Sequence, residues 1–455
     1  MAGLSVAHRV ALTVLLARCP EPALKAVSAA IASMAGGRAA ELRMIVAEES
    51  RDRTRRARAL APVVPMFRAR ADGIAAMTFP PHVLPRLWRA AREGEPDLLA
   101  HLDVDDPSAV TVADRFCKAA AAAVRDQPDL VWPLQAEDAV RQAGLADLAV
   151  CLDLAHLARR GLPSLEIWLK RPDGDQIAEL RLLLKDCAGV HQDGAQRVLE
   201  MLFAHLDDAV LILRIITQTS LAAGREGFLS DSELAGFVDR LIAGVDVHAR
   251  RIEAFKPGTG TGPEQVETVI ADFNWCAGVL GELDVTLTLS PQSVWGKSVR
   301  DARVTIAKRL AALLRAADKA VDEALPLERV QIAGRMTRKA PRLTAAVDGA
   351  GVEAALSLLK LVGSARGPAS TFGCEADRKA LVDGLTARLS DYADQALRMI
   401  NDGEAGDEVH AMALVELVAV CLDHIDADDP ARTVRRRAAV AGAPSKGTEA
   451  SSRAA

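Results

Sequence analysis

Along much of this chain the apolar residues recur in alternating steps of four and three. That spacing lays one greasy stripe down a helix and buries it against another helix. The clearest case runs Leu234, Val238, Leu241, Val245, His248, Ile252, Phe255, and a second runs Val266, Ile270, Phe273, Ala277, Leu280. Between them stand Pro257, Gly258, Gly260 and Gly262, and Pro263 is suited to the first turn of a following helix. The pair predicts an antiparallel αα-hairpin. Ser230 with Glu233 has the form of a capping box, so the first of these helices is expected to begin at Ser230 and to end at Lys256.

Other segments behave alike. From about Gly194 to Ala223, Val198, Leu202, Leu206, Ala209, Leu213 and Ile216 share one side, while Leu211, Ile212 and Ile215 cover much of the rest. One central helix, buried all round, is expected there. From Lys297 to about Ala324, the stripe is Val299, Ile306, Leu310, Leu313, Ala317 and Val321. Val382, Leu385, Leu389, Tyr392, Ala396 and Met399 form a further seam, and Leu414, Leu417 and Cys421 the next.

Composition agrees. Half of the 455 residues are hydrophobic but only 3% are aromatic, so the apolar mass is Ala, Leu and Val. Ala and Leu are strong helix formers, and the residues that strands favour are scarce. The fold class expected is all-α: multi-helix antiparallel bundles, with an N-terminal part that is either an irregular bundle or a set of helix-pair repeats. Prolines at 62, 65, 80, 81, 85, 96 and 107 cut that part into short pieces. Punctuation gives an irregular helical region over 1–127 and a central bundle over 128–257. A Gly/Pro turn over 258–263 and a C-terminal bundle with a basic face over 264–437 follow. The small, polar segment 438–455 is expected to be a disordered tail.

The 26% of charged residues leave a net charge of −5, which disfavours a nucleic-acid coat. Seven widely spaced cysteines without a Cys-x-x-Cys read as reduced, mostly buried thiols of a cytoplasmic protein. Leu12 to Ala17 is a short apolar run, but Arg18 stands where a lipoprotein cleavage box needs a small residue, so an ordinary helix is expected. The densest apolar run, Ala209 to Ile216, contains Arg214 and is too short to span a membrane.

Each fragment of known chemistry fails on a specific residue. Gly296-Lys297-Ser298 ends like a phosphate-binding loop, yet the first glycine of that loop is replaced by Pro291, which has no amide to offer. The flanking run Val285 to Leu289 could form a strand. Glu226 to Glu233 resembles half a calcium loop whose first ligand positions hold Ala222 and Gly224. Cys187 with His191, and Cys421 with His424, each share a helix face but supply only two ligands apiece. Gly363-Ser364-Ala365-Arg366-Gly367 places its serine one position too early for a nucleophile elbow. His248, inside a seam, could act as a pH-sensitive register element or stand partly exposed at a bundle edge. No cofactor and no metal is expected.

Two basic features remain. Arg51, Arg53, Arg55, Arg56 and Arg58 cluster on one segment, with Glu49 and Asp52 placed to pair with Arg53 and Arg56. The larger feature is 296–342, where twelve basic and five acidic residues give +7 in a chain of net −5. Lys297, Lys308, Arg315 and Lys319 line up opposite the apolar stripe. Arg300 stands near them, and Arg335, Arg338 and Lys339 follow in a segment expected to be a loop. These eight are the candidate anion- or partner-binding face. Trp295 is the one aromatic nearby, so stacking on single-stranded bases is not expected. The function expected is a non-enzymatic helical scaffold, adaptor or regulatory protein acting on other proteins through helical faces. Two alternatives stand beside it: nucleic-acid or polyanion binding through 296–342, and an all-helical enzyme whose site gathers distant residues.

Overall fold

Abundant Ala and Leu with recurrent seams give a helical chain. The structure, a computed structural model, is 78% helical, with 20 α-helices and one two-stranded sheet among the described residues. Those residues are 4–103, 107–133, 138–170, 172–219, 226–333 and 336–441. No helix among them is long and apolar enough to cross a membrane. The chain divides into two compact units, 1–237 and 238–455.

The first unit begins with α1 (Val6–Arg18), α2 (Glu21–Ala32) and α3 (Gly37–Ala59), which share a small core of Leu16, Leu24, Ile31 and Val46. Then come α4 (Val83–Gly94), α5 (Pro107–Asp126), α6 (Pro128–Val131) and α7 (Asp138–Gly161). Trp88 of α4 meets Phe116 of α5 with ring centroids 5.4 Å apart, inside the main core of this unit. α8 (Leu165–Leu169), α9 (Gly174–Val190), α10 (Gly194–His205), α11 (Ile212–Thr219) and α12 (Glu226–Ser230) complete it. α9 starts at a full capping box: Asp173 accepts from the Gln176 amide, and the Gln176 side chain accepts from the Asp173 amide.

The helix expected over 194–223 is two helices as far as Thr219, and 220–223 lie outside the described residues. α10 ends at His205, a 3₁₀ turn covers Ala209–Leu211, and α11 follows. The cause is local competition for backbone amides. Asp208 accepts from the Val210 amide at 2.9 Å, and Asp72 accepts from the Ala209 amide at 3.0 Å, so these donors cap a new start instead of continuing α10. The burial pattern still holds, with Val198, Leu202, Leu206, Ala209, Leu213 and Ile216 all buried.

α13 (Ala235–Ala254) begins five residues later than the sequence suggests. Ser230 instead closes α12, where its hydroxyl donates to the Gly227 carbonyl, so no capping box forms with Glu233. The second unit continues with α14 (Pro263–Thr286) and the 31-residue α15 (Val294–Ala324). The possible strand over 285–289 does not form: α14 runs to Thr286, and only Thr288 makes an isolated bridge.

The segment expected to be a loop is an antiparallel hairpin, β1 (Leu327–Ala333) and β2 (Met336–Pro341), with Val330 opposite Arg338 and Arg329 opposite Lys339. Its β2 strand packs on the helix Glu375–Asn401. α16 (Ala350–Ser364), α17 (Arg366–Thr371), α18 (Glu375–Asn401), α19 (Glu408–His424) and α20 (Asp428–Ala441) complete the unit. α20 therefore covers the first residues of the segment expected to be a tail, and 442–455 lie outside the described residues. The seam of α18 buries Leu385, Leu389, Tyr392, Ala396 and Met399.

Candidate functional site

α15 owes its position to its two sides. Val299, Ile306, Leu310, Leu313, Ala317 and Val321 are buried along one. Lys297, Arg300, Lys308, Arg315 and Lys319 are exposed. Steps of eleven, seven and four residues bring Lys297, Lys308, Arg315 and Lys319 back to one line, which at 1.5 Å per residue is about 33 Å long. Lys319 pairs with Glu323 at 3.2 Å and Arg300 with Asp301 at 3.6 Å. Lys297, Lys308 and Arg315 have no acidic partner among the described residues.

Gly296-Lys297-Ser298 lies at the beginning of this helix. Ser293 caps it, accepting from the Gly296 amide at 2.9 Å. Gly296 is glycine because a Cβ there would stand 1.9 Å from the Ser290 carbonyl oxygen. Ser298 turns its hydroxyl to the Asp246 carboxylate, 3.5 Å away, which is no place for a phosphate. Trp295 is buried and its indole N–H donates to Asp239 at 2.6 Å, so it has no exposed face for a base to stack on.

Arg338 and Lys339 do not extend the α15 row. They line a cleft of about 310 Å³ together with Gln395, Arg398, Met399 and Asp402 of α18 and its C-terminal cap. Arg338 reaches Glu404 at 3.5 Å. Arg335 lies outside the described residues. Arg398 also lines a more open groove of about 860 Å³, whose other wall is α20 with Arg436, Arg437 and Val440. Arg437 pairs with Asp394. Sequence reasoning missed Arg398, Arg436 and Arg437. The available signal was the run Arg435-Arg436-Arg437, of which Arg435 is consumed by Glu416 and Asp423 while its two neighbours face the groove.

A third, smaller depression shares Gln395 and is lined by Asp322, Arg388 and Tyr392. The Tyr392 hydroxyl is buried without a hydrogen-bond partner among the described residues, and burial pushes its pKa up to about 12 against the opposing pull of Arg342.

No family model, curated protein or solved structure matches this chain.

The other candidates resolve into structural roles. Arg51, Arg53 and Arg55 of α3 are spent on pairs: Arg51 with Glu48 at 3.1 Å, Arg53 with Glu49 at 2.8 Å and Glu21 at 3.0 Å, and Arg55 with Asp103 at 2.6 Å. Asp52 bonds Arg92 of α4 rather than the expected Arg56. His248 is half-buried. Its Nδ1 lies 2.6 Å from Oδ1 of the buried Asp272, and its ring stacks on Trp275 with centroids 4.2 Å apart, so it joins α13 to α14. The Arg251 guanidinium stands 3.5 Å from the same carboxylate oxygen. Cys187 and Cys421 are buried, and burial pushes each thiol up to about 12, the reverse of a reactive or ligating thiolate. Among the described residues no three His, Cys, Asp or Glu side chains gather as a metal site would need.

Proposed function

We propose that this chain is a helical adaptor that holds an acidic protein partner through the row of cations on α15. The observation carrying this reading is the line of Lys297, Lys308 and Arg315. All three are exposed and have no acidic partner among the described residues, on a helix whose opposite side is fixed in a core. A helix anchored in this way presents charges at set intervals, so little backbone order is lost on binding. Each exposed ion pair is worth only about 0–1 kcal/mol, so several must act together, and the contact must weaken steeply with salt. A matching row of carboxylates on a partner helix would gain in association rate and in specificity. The burial of Trp295 favours a protein over a single-stranded nucleic acid, because no aromatic platform accompanies the cations.

The test is affinity purification of the tagged chain from its native host, in parallel with the K297E/K308E/R315E variant. A protein retained at low salt, released by high salt and insensitive to nuclease is expected. With that protein purified, the variant should bind at least tenfold more weakly. Retention that nuclease abolishes would replace the adaptor reading with nucleic-acid binding. Equal affinity of variant and parent would overturn both.

A further inference from the structure

We propose that the two clefts at the C-terminal end of α18 form one binding site for a small molecule carrying linked phosphates, with Arg398 gripping it between them. This site is separate from the α15 row and does not depend on the adaptor reading.

Three elements converge there. β2 contributes Arg338 and Lys339, α18 contributes Arg398, and α20 contributes Arg436 and Arg437. Against these five cations the two clefts hold the carboxylates of Asp394 and Asp402. Arg437 is engaged by Asp394, and Arg338 reaches out to Glu404. Lys339, Arg398 and Arg436 have no acidic partner among the described residues. Holding like charges together in a concave surface costs free energy, because low-dielectric walls focus their field. A polyanion in the cleft would remove that cost.

The shape of the donors selects the ligand. The Nε of Arg398 donates to the Asp394 backbone carbonyl at 3.2 Å, which fixes the guanidinium plane, and its two terminal nitrogens have no partner among the described residues. A fixed planar fork suits bidentate contact with a phosphate, and the Lys339 ammonium adds a point charge beside it. Because Arg398 lines both clefts, one phosphate can sit between Arg398 and Lys339 while the next reaches toward Arg436. Asp402 and the carbonyl end of α18 oppose a weakly charged anion. Only a ligand with several charges, touching several cations at once, offsets them. The volumes of about 310 Å³ and 860 Å³ lie in the range of small-molecule sites. Leu397 and Val440 give the larger groove an apolar patch on which a nucleoside could rest.

The experiment is calorimetric titration of the full chain with inorganic tripolyphosphate, ATP and orthophosphate at physiological ionic strength. Tripolyphosphate should bind at a single site, with orthophosphate at least tenfold weaker. ATP tighter than tripolyphosphate would assign the natural source to a nucleotide, and ATP equal or weaker would assign it to inorganic polyphosphate. Both results support the site. R398A should weaken tripolyphosphate at least tenfold, R398K should restore part of the loss, and K339A and R436A should each cost less. The K297E/K308E/R315E variant should bind tripolyphosphate as the parent does. Absence of tripolyphosphate binding, unchanged binding in R398A, orthophosphate as tight as tripolyphosphate, or loss confined to the α15 variant would each overturn the proposal.

Discussion

Asp72 shows how much a single carboxylate can organise. It accepts from Arg70 at 2.6 Å and from the backbone amides of Ile74 and Ala209. Arg70 in turn donates to the Phe203 carbonyl and lies 4.2 Å from the centre of the Phe203 ring. Burial, the largest single influence, pushes the Asp72 carboxyl up, but the Arg70 bond and the two amides together outweigh it and hold its pKa below the usual value. The folded chain therefore takes up this proton less readily than the unfolded chain does. The stabilisation is complete above about pH 4 and is lost as the pH falls through the lower folded value. D72N should cost about 1–3 kcal/mol at neutral pH. Thermal unfolding followed from pH 7 down to pH 2 should show a shallower acid limb in D72N than in the parent. The long-range part of this was not legible in the sequence, where Asp72 and Ala209 are 137 positions apart and Arg70 and Phe203 are 133 apart.

At the scale of elements, long seams were legible and helix starts only in part: Pro263 opens α14 as its position suggested, whereas α13 begins five residues after Ser230. The stripe of α15 was read correctly from Val299 to Val321, because the spacing of apolar residues records burial directly. The capping box expected at Ser230 forms instead at Asp173. Ser230 is the last residue of α12, so it cannot cap the start of α13. The β1–β2 hairpin escaped notice because its strands are short and heavily charged, with Thr337, Arg338 and Lys339 all exposed. The start of α15 offers a sharp test. S293A removes one cap bond and should cost about 1 kcal/mol. G296A would ordinarily favour a helix by about 1 kcal/mol, but here the new methyl meets the Ser290 carbonyl. G296A should therefore destabilise more than S293A in chemical denaturation, in the opposite order from their helix propensities.

For the whole molecule, the class of fold was legible and the assembly of sites was not. Scarce aromatics and abundant Ala and Leu fixed the helical outcome before any segment was placed. Lys297, Lys308, Arg315 and Lys319 were found because one helix carries them all. Arg398 and Arg436 come from helices that only folding sets side by side, so the run Arg435-Arg436-Arg437 could mark a basic patch but not its convergence on Arg398. The sulfur atoms carry a consequence of their own. Cys19 is partly exposed, while Cys117, Cys151, Cys187, Cys276, Cys374 and Cys421 are buried, and burial holds the Cys117 thiol at about 11 and that of Cys151 at about 12. An alkylating reagent at neutral pH should accordingly add once to the native chain and seven times in denaturant, as read by intact mass. Six thiols sealed inside and one at the rim turn the protein into its own clock, in which each slow extra adduct times the breathing of a different stretch of the interior.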